Sequence, residues 1–197
     1  MTMLVFINYG DGIIFTSDKR AVRKDENGKL IEFVSDDEIK TLRCQSGWIS
    51  GCGYVPFLES VKNYSINGNV ETTNDLVNYF HIQLKQQGLN QYWANTSKVA
   101  FLYKTDQAIR AGLISNCNDK MIMISDNTAK ILVDGVDIDS FKIRLEDEIK
   151  KHNFELSNLL VILKELHVYV SEKNQTVSSN FDVIIYNQNM SEILTVN

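Results

Sequence analysis

The start of the chain places a threonine ahead of a short apolar hairpin. Met3–Ile7 is an apolar run, Gly10-Asp11-Gly12 is a turn signal, and Ile13-Ile14-Phe15 follows as a second apolar run. Two short apolar runs separated by a glycine-containing turn are typical of a β-hairpin. The second strand then ends at Asp18, with Arg20 two positions later.

Thr2 has unusual chemical potential because it becomes the N-terminal residue if Met1 is removed. A terminal threonine can use its own α-amine as the base for its hydroxyl. An α-amine has a pKa of about 7.7–8.0, so an appreciable fraction is unprotonated at neutral pH. Threonine is small enough that we expect removal of Met1 in cells. A retained Met1 would convert the amine into an amide, which cannot act as a base.

The spacing within this segment resembles that of the β-type proteasome subunits, which are N-terminal nucleophile hydrolases. In that family the mature chain starts with threonine, runs through an Asp-Gly-Val-Val-type hairpin and reaches Asp-x-Arg-Ala sixteen residues later. Here Asp18 lies sixteen positions after Thr2 and opens Asp18-Lys19-Arg20-Ala21. The resemblance is sharp over residues 2–24 and recognisable over 38–64. The alternative is an ordinary amphipathic hairpin with Thr2 and Asp18 at its surface.

The hydrophobic pattern predicts an α+β fold built from one domain, residues 1–197. With 197 residues, 44% of them hydrophobic, the chain suits a single core-forming domain. Strands are expected at Glu38–Cys44, Trp48–Ser50, Lys98–Tyr103, Ala108–Ile114, Met121–Ser125, Ala129–Val133, Phe181–Tyr186 and Ile193–Val196. Four helices are expected. The first begins near Pro56, the second is capped by Thr73-Asn74-Asp75, the third is capped by Asp139-Ser140, and the fourth covers Phe154–Val170.

The order of these elements suggests a four-layer αββα sandwich. Helices come as two pairs, each between runs of strands, which favours two stacked antiparallel sheets between two helix layers. The proteasome resemblance implies the same N-terminal nucleophile hydrolase fold.

A second hairpin places Lys40 opposite Gly51. Five residues lead from Lys40 to Gln45 and five from Ser46 to Gly51, so antiparallel pairing about this turn aligns the two ends. In the resembling family a lysine opens the third strand and a glycine ends the fourth. An insertion before Lys40 must be assumed, and Lys29, beside the Asn27-Gly28 turn, is the rival lysine.

The resemblance implies acyl transfer at these residues. Thr2 is the nucleophile, Lys40 stabilises negative charge near its hydroxyl, Asp18 holds Lys40, and the Gly51 N–H donates to the oxyanion. Arg20 is expected to support the substrate or the site. The alternatives are a plain salt bridge between Lys40 and Asp18, and a turn glycine at residue 51.

Three departures from the family pattern count against activity. Val22 replaces a Thr or Ser whose hydroxyl binds substrate backbone in the family. Asp134-Gly-Val-Asp137 stands where the family has Gly-Ser-Gly-Ser. The family's late Asp-x-x-Ser-Gly is matched only by Gln175-Thr-Val-Ser178-Ser179, in which Ser178 is kept as a supporting residue and the carboxylate is missing.

Charge and hydropathy exclude several classes of function. A net charge of −5 argues against a nucleic-acid binder, whose footprint is basic. The apolar runs are far shorter than the ~20 residues that span a bilayer. The N-terminal segment lacks the basic n-region and the small-residue cleavage site of a secretory signal peptide. We therefore expect a cytoplasmic protein.

Cysteine and histidine spacing predicts neither a metal site nor a cofactor. The cysteines form no metal-type pairs and are expected to be reduced and at least half-buried, with Cys52 a weak candidate for a reactive thiol. The histidines occur singly and are expected to be partly buried structural residues. These residues are Cys44, Cys52, Cys117, His81, His152 and His167.

The favoured hypothesis is a threonine-type hydrolase that cleaves peptide or protein substrates. The resemblance also implies self-association into rings, which would need a separate ATP-dependent unfoldase to supply folded substrates. A non-catalytic subunit that acts in binding or assembly is the main alternative. A small-molecule amidase using the same threonine is a third, because fold does not fix substrate.

Overall fold

The structure is a computed structural model that describes residues 2–152 and 154–196. Its strands are β1 (Leu4–Asn8), β2 (Gly12–Asp18), β3 (Ala21–Lys24), β4 (Leu30–Ser35), β5 (Leu42–Cys44), β6 (Gly47–Cys52), β7 (Lys98–Lys104), β8 (Ile109–Ser115), β9 (Ile122–Met123), β10 (Thr128–Leu132), β11 (Phe181–Asn187) and β12 (Ser191–Val196). Its helices are α1 (Val55–Ile66), α2 (Thr73–Gln86), α3 (Gln91–Thr96), α4 (Asp139–Ile149) and α5 (Leu156–Lys173).

The N-terminal hairpin lies at the centre of a five-stranded antiparallel sheet with the order β10-β1-β2-β11-β12. Its turn is tight, since the Tyr9 N–H donates to the Gly12 carbonyl at 3.1 Å. Gly10 has a φ of +89°, a conformation that glycine adopts without strain. The predicted hairpin is therefore confirmed.

Two more sheets complete the strand topology. The second five-stranded sheet has the order β5-β6-β7-β8-β9, and every pairing in it is antiparallel. The third is the separate two-stranded hairpin β3–β4.

Three hydrophobic clusters stack these elements into four layers. One cluster joins the sheet of β1 to α4 and α5, the second lies between the two large sheets, and the third joins the sheet of β6 to α1 and α2. The predicted α+β, four-layer αββα architecture is confirmed. None of the helices within the described residues is long and apolar enough to cross a membrane.

Strand β1 shows why its first four residues, 4–7, are all apolar. Val5 and Ile7 pack on the helix side, whereas Leu4 and Phe6 pack between the sheets. Successive side chains of a strand point to opposite faces. Both faces of β1 are covered, so the usual alternation of polar and apolar residues is absent.

Some predicted boundaries were wrong. Thr72, rather than the segment starting at Thr73, caps α2, and it forms a capping box with Asp75. Helix α4 begins at Asp139 without a side-chain cap, and α5 begins at Leu156, after Phe154. The predicted strand from Glu38 is shorter, because ladder pairing begins at Leu42.

Other elements and burial states were not anticipated. The charged segment after Ala21 forms the β3–β4 hairpin, and the short helix α3 precedes β7. Cys117 and His152 are exposed, contrary to the predicted burial. Both lie in turns outside the packed clusters.

Candidate active site

Asp18 is the anchor of the candidate site. Its side chain is completely buried. One carboxylate oxygen accepts the Met3 N–H at 2.7 Å, and the other accepts the N–H groups of Arg20 at 3.0 Å and Ser178 at 3.3 Å. The carboxylate thus fixes the backbone beside Thr2 to the end of β2 and to the loop before β11.

Lys40 completes the ion pair predicted from sequence. Its Nζ donates to Asp18 Oδ2 at 3.1 Å and to the Arg20 carbonyl at 2.6 Å, and its side chain is only 9% exposed. Burial lowers the pKa of the Lys40 ammonium below its ordinary value, and the Asp18 carboxylate opposes that shift. The rival Lys29 is exposed in the β3–β4 turn, where its N–H binds the Asp25 carboxylate.

Thr2, Lys40 and Gly51 line one cavity of about 410 Å³. The register of β5 and β6, Leu42 opposite Ile49, places Lys40 opposite Gly51 when it is extended by two residues. The state of Met1, on which the amine of Thr2 depends, lies outside the described residues.

Glycine is required at position 51 by close packing. A Cβ there would lie 2.8 Å from Leu58 Cδ2 of α1 and 2.8 Å from the Lys98 carbonyl oxygen of β7. Packing alone therefore gives a reason for this glycine, independent of any oxyanion role.

Arg20 and Ser178 meet at a carboxylate that sequence reasoning missed. The Arg20 guanidinium donates to both oxygens of Asp36, at 2.7 and 2.8 Å, and to the Gln175 carbonyl at 3.0 Å. This pairing lowers the pKa of Asp36, and a hydrogen bond with Ser178 lowers it further. Segment 175–179 itself lacks a carboxylate, but the Asp36 carboxylate, which directly follows β4, lies beside Ser178. The local sequence contains no signal of this contact.

Lys62 lines the cavity and was also missed by sequence reasoning. It lies on the buried face of α1, and its Nζ donates to the Lys40 carbonyl at 2.7 Å. Burial, together with the positive charge of Lys40, lowers the pKa of Lys62 to about 8. A signal was present, because Lys62 follows the apolar Leu58 by four positions and so shares its helical face.

A chain of hydrogen-bonded, buried hydroxyl groups holds the Lys40 backbone in place. Ser50 Oγ donates to the Lys40 carbonyl at 3.2 Å, Thr41 Oγ1 lies 3.0 Å from Ser50 Oγ, and Ser17 Oγ lies 2.8 Å from Thr41 Oγ1. These bonds tie β2 to β6 through the segment that holds Lys40. The position of the lysine is therefore set by both sheets.

His167 is fully buried. Its ring stacks on Phe181 with centroids 3.8 Å apart, and Nε2 lies 3.0 Å from Thr16 Oγ1. Burial lowers the pKa of His167 to about 3, so the ring is neutral at pH 7. No group of three or more side chains suited to hold a metal ion occurs in the two described ranges.

The remaining sequence candidates differ in their placement. Val22 lines the cavity, so the position that carries a hydroxyl in the resembling family is apolar here. The segment 134–137 connects β10 to α4, and its Asp134 carbonyl binds Asn174. Burial raises the pKa of the Cys52 thiol, which makes it a poor nucleophile.

Comparison with known proteins adds evidence on the fold. No protein-family model and no curated protein matches the chain. A solved structure, the Anbu (Gly-1) mutant from Hyphomicrobium sp. strain MC1, matches with a TM-score of 0.73 and 12% identity over 98% of this chain and 85% of that chain. Anbu (ancestral beta-subunit) from Yersinia bercovieri matches with a TM-score of 0.71 and 12% identity over 99% of this chain and 88% of that chain.

At this identity the likeness establishes the fold alone. The two Anbu structures share the four-layer αββα fold of this chain, which is the fold predicted from the sequence.

Proposed function

We propose that this chain is a threonine-type N-terminal nucleophile hydrolase that cleaves peptide bonds once Thr2 is its first residue. The observation that carries the proposal is the shared cavity of Thr2, Lys40 and Gly51, with the Lys40 ammonium held by the buried Asp18. An ammonium beside the nucleophile favours an alkoxide, and burial strengthens that interaction because the local dielectric is low.

The first half of the reaction forms an acyl-enzyme. The α-amine of Thr2 accepts the proton of Thr2 Oγ as Oγ attacks the peptide carbonyl carbon. Lys40 stabilises the negative charge near Oγ, and the Gly51 N–H donates to the tetrahedral oxyanion. The protonated α-amine then gives its proton to the departing amine as the C–N bond breaks.

The second half releases the acyl group. Water attacks the acyl-threonine ester, the α-amine accepts a proton from that water, and Thr2 Oγ leaves and is reprotonated. Oxyanion stabilisation by the Gly51 N–H acts in both halves, and the loss of one such donor can slow a reaction about 10²–10³-fold.

Peptides and proteins are the proposed substrates, and a ring of copies of this chain is the proposed assembly. Apolar side chains exposed on β4 and on the outer helices support self-association, since such surface is commonly buried in interfaces. They are Ile31, Phe33, Val34, Ile143 and Val161. Such a ring would need a separate ATP-dependent unfoldase to supply it with folded substrates. The proposed location is the cytoplasm.

A non-catalytic subunit with the same fold is the second candidate. It is favoured by Val22, which provides no hydroxyl to the cavity. An amidase acting on small molecules is the third, since the same threonine chemistry serves either substrate.

The test combines intact mass, covalent labelling and substitution. We expect protein from its native cells to lack the mass of Met1 and to react at Thr2 with a peptide epoxyketone, which needs the hydroxyl and free amine of one residue. Thr2→Ala should abolish labelling and hydrolysis, whereas Thr2→Ser, which keeps the hydroxyl, should retain both. Circular dichroism checks that each variant is folded.

Two results would overturn the proposal. A full-length mass in native cells favours the non-catalytic subunit. Peptide turnover by Thr2→Ala equal to that of the unsubstituted chain moves the chemistry elsewhere.

A further inference from the structure

The cavity beside Thr2 combines apolar walls with a buried cation that the mechanism does not use. Apolar lining is contributed by Val22, Ile39, Leu42, Leu58 and Trp93. Lys62, on the buried face of α1, lines the same cavity and is only 9% exposed. A pocket of this kind suits a ligand with an aliphatic part and one polar end.

Lys62 is set apart from the other cations of the cavity because it is buried and has no carboxylate partner among the described residues. Arg20 pairs with Asp36, and Lys40 pairs with Asp18. Within residues 2–152 and 154–196, no carboxylate forms an ion pair with the Lys62 ammonium.

The Lys62 ammonium therefore has capacity for a ligand. It donates to the Lys40 carbonyl, but an ammonium carries three N–H donors. A buried charge without a charged partner is unfavourable, so an anion that enters the cavity gains more here than at the surface.

Two carboxylates, Glu38 and Glu59, also line the cavity, but both residues are exposed. Exposed charges are screened by water and salt, whereas the buried Lys62 is screened much less. Lys40 and Arg20 are already paired with Asp18 and Asp36, so Lys62 is the cation of the cavity that is both buried and without a paired carboxylate in the described part of the chain.

We propose that this cavity binds an acidic side chain of the substrate, an aspartate or glutamate on the acyl side of the cleaved bond, through the ammonium of Lys62. The inference rests on the proposed function, because Thr2 defines which bond is cleaved. The substrate carboxylate accepts hydrogen bonds from the Lys62 N–H groups that do not bind the Lys40 carbonyl. The aliphatic part of the substrate side chain contacts the apolar walls.

The test compares two peptide substrates that differ only in glutamate or glutamine at that position. The two side chains have nearly the same shape, so the ratio of kcat/KM values isolates the charge. We expect a preference for glutamate of at least ~30-fold, since leaving a buried charge unpaired is strongly unfavourable. Lys62→Met should reduce the ratio to within about threefold, mainly by raising KM for the glutamate peptide.

Lys85→Met is the matched control. It makes the same change of charge at an exposed position in the last turn of α2, which does not line the cavity. It should keep the ratio of the unsubstituted chain. Equal rates for the two peptides in the unsubstituted chain would refute the inference, and so would an unchanged preference in folded Lys62→Met.

A pH profile of the unsubstituted chain gives a second readout that needs no variant. The charged or titratable groups facing Lys62 are Lys40, Glu38, Glu59 and Cys52. The glutamate preference should fall as the pH rises through the Lys62 pKa of about 8, because the ammonium then loses its charge. Effects of Lys40 on the chemical step are common to both peptides and cancel in the ratio. A preference constant from pH 7 to above pH 10 would contradict the assignment.

A binding measurement separates this inference from the proposed function. Isothermal titration of Thr2→Ala with N-acetyl peptide amides that end in glutamate or glutamine requires no turnover. Tighter binding of the glutamate peptide, lost in Thr2→Ala/Lys62→Met, supports the acidic pocket even if no substrate is cleaved. Cleavage with no preference for glutamate supports the hydrolase and overturns the pocket.

Discussion

Replacement of Asp18 by asparagine is the substitution that tests the candidate site most directly through stability. The carboxylate accepts hydrogen bonds from three backbone N–H groups and from Lys40. An asparagine side chain in its place would have a single acceptor oxygen and an NH₂ group directed at other donors. The substitution also leaves the buried Lys40 ammonium without its counter-charge.

The expected loss of unfolding free energy follows from the burial of the Asp18–Lys40 pair. Removal of one partner of a buried ion pair costs about 3–5 kcal/mol, because the remaining charge is buried and uncompensated. With a urea m-value of roughly 2 kcal/mol/M, Asp18→Asn should lower the unfolding midpoint by about 2 M. The further substitution Lys40→Met removes the stranded charge, so the double variant should be more stable than Asp18→Asn alone by about 1–3 kcal/mol.

Urea unfolding followed by fluorescence measures these differences independently of any enzyme activity. Glu32→Gln is the matched control, since it breaks the Arg23–Glu32 pair, whose side chains are 65% and 48% exposed. That change should cost less than about 1 kcal/mol. A loss below about 1 kcal/mol for Asp18→Asn, or a double variant less stable than Asp18→Asn, would refute the argument that this pair is held as a buried, mutually dependent unit.

Two further predictions concern buried bases, whose charged forms oppose folding. The Lys62 pKa is about 8 when folded against an ordinary 10.5, so the penalty is full below pH 8 and vanishes above 10.5. Lys62→Met should therefore raise the free energy of unfolding at pH 7 by up to ~3 kcal/mol, with the gain shrinking from pH 8 to 10.5 in urea titrations. The His167 pKa is about 3 when folded against 6.5 ordinarily, so the unfolded chain binds more protons between these values. Stability should fall by about 2 kcal/mol more between pH 7 and pH 5 in the unsubstituted chain than in His167→Gln, and equal losses would refute the buried neutral ring.

The sequence predicted those parts of the site that depend on hairpin register. Once the turn at Gly10-Asp11-Gly12 is fixed, antiparallel pairing determines which residue of β2 returns beside Met3, and that residue is Asp18. The same reasoning aligned Lys40 with Gly51, although the ladder of this hairpin begins only at Leu42, two residues after Lys40. Both are local consequences of a turn and a period of two.

The missed residues depend on tertiary packing. Asp36 reaches Ser178 from a hairpin whose charged sequence resembles a solvated loop. Lys62 was not singled out from the sequence, although its spacing from Leu58 places it on the buried face of α1. No pattern in one strand or helix reports which other element will cover it, so neither contact could be read from local sequence.

The pairing of β2 with β11 also limits when the molecule can become competent during synthesis. These strands lie side by side in the sheet but at opposite ends of the chain, and the Ser178 N–H reaches Asp18 only after nearly all of the chain has emerged. A contact of such long sequence separation forms late because loop closure must come first. An unfinished polypeptide on the ribosome therefore lacks the β2–β11 pairing and the Ser178 contact to Asp18, and under the proposed function it is inactive until the chain is complete through β11.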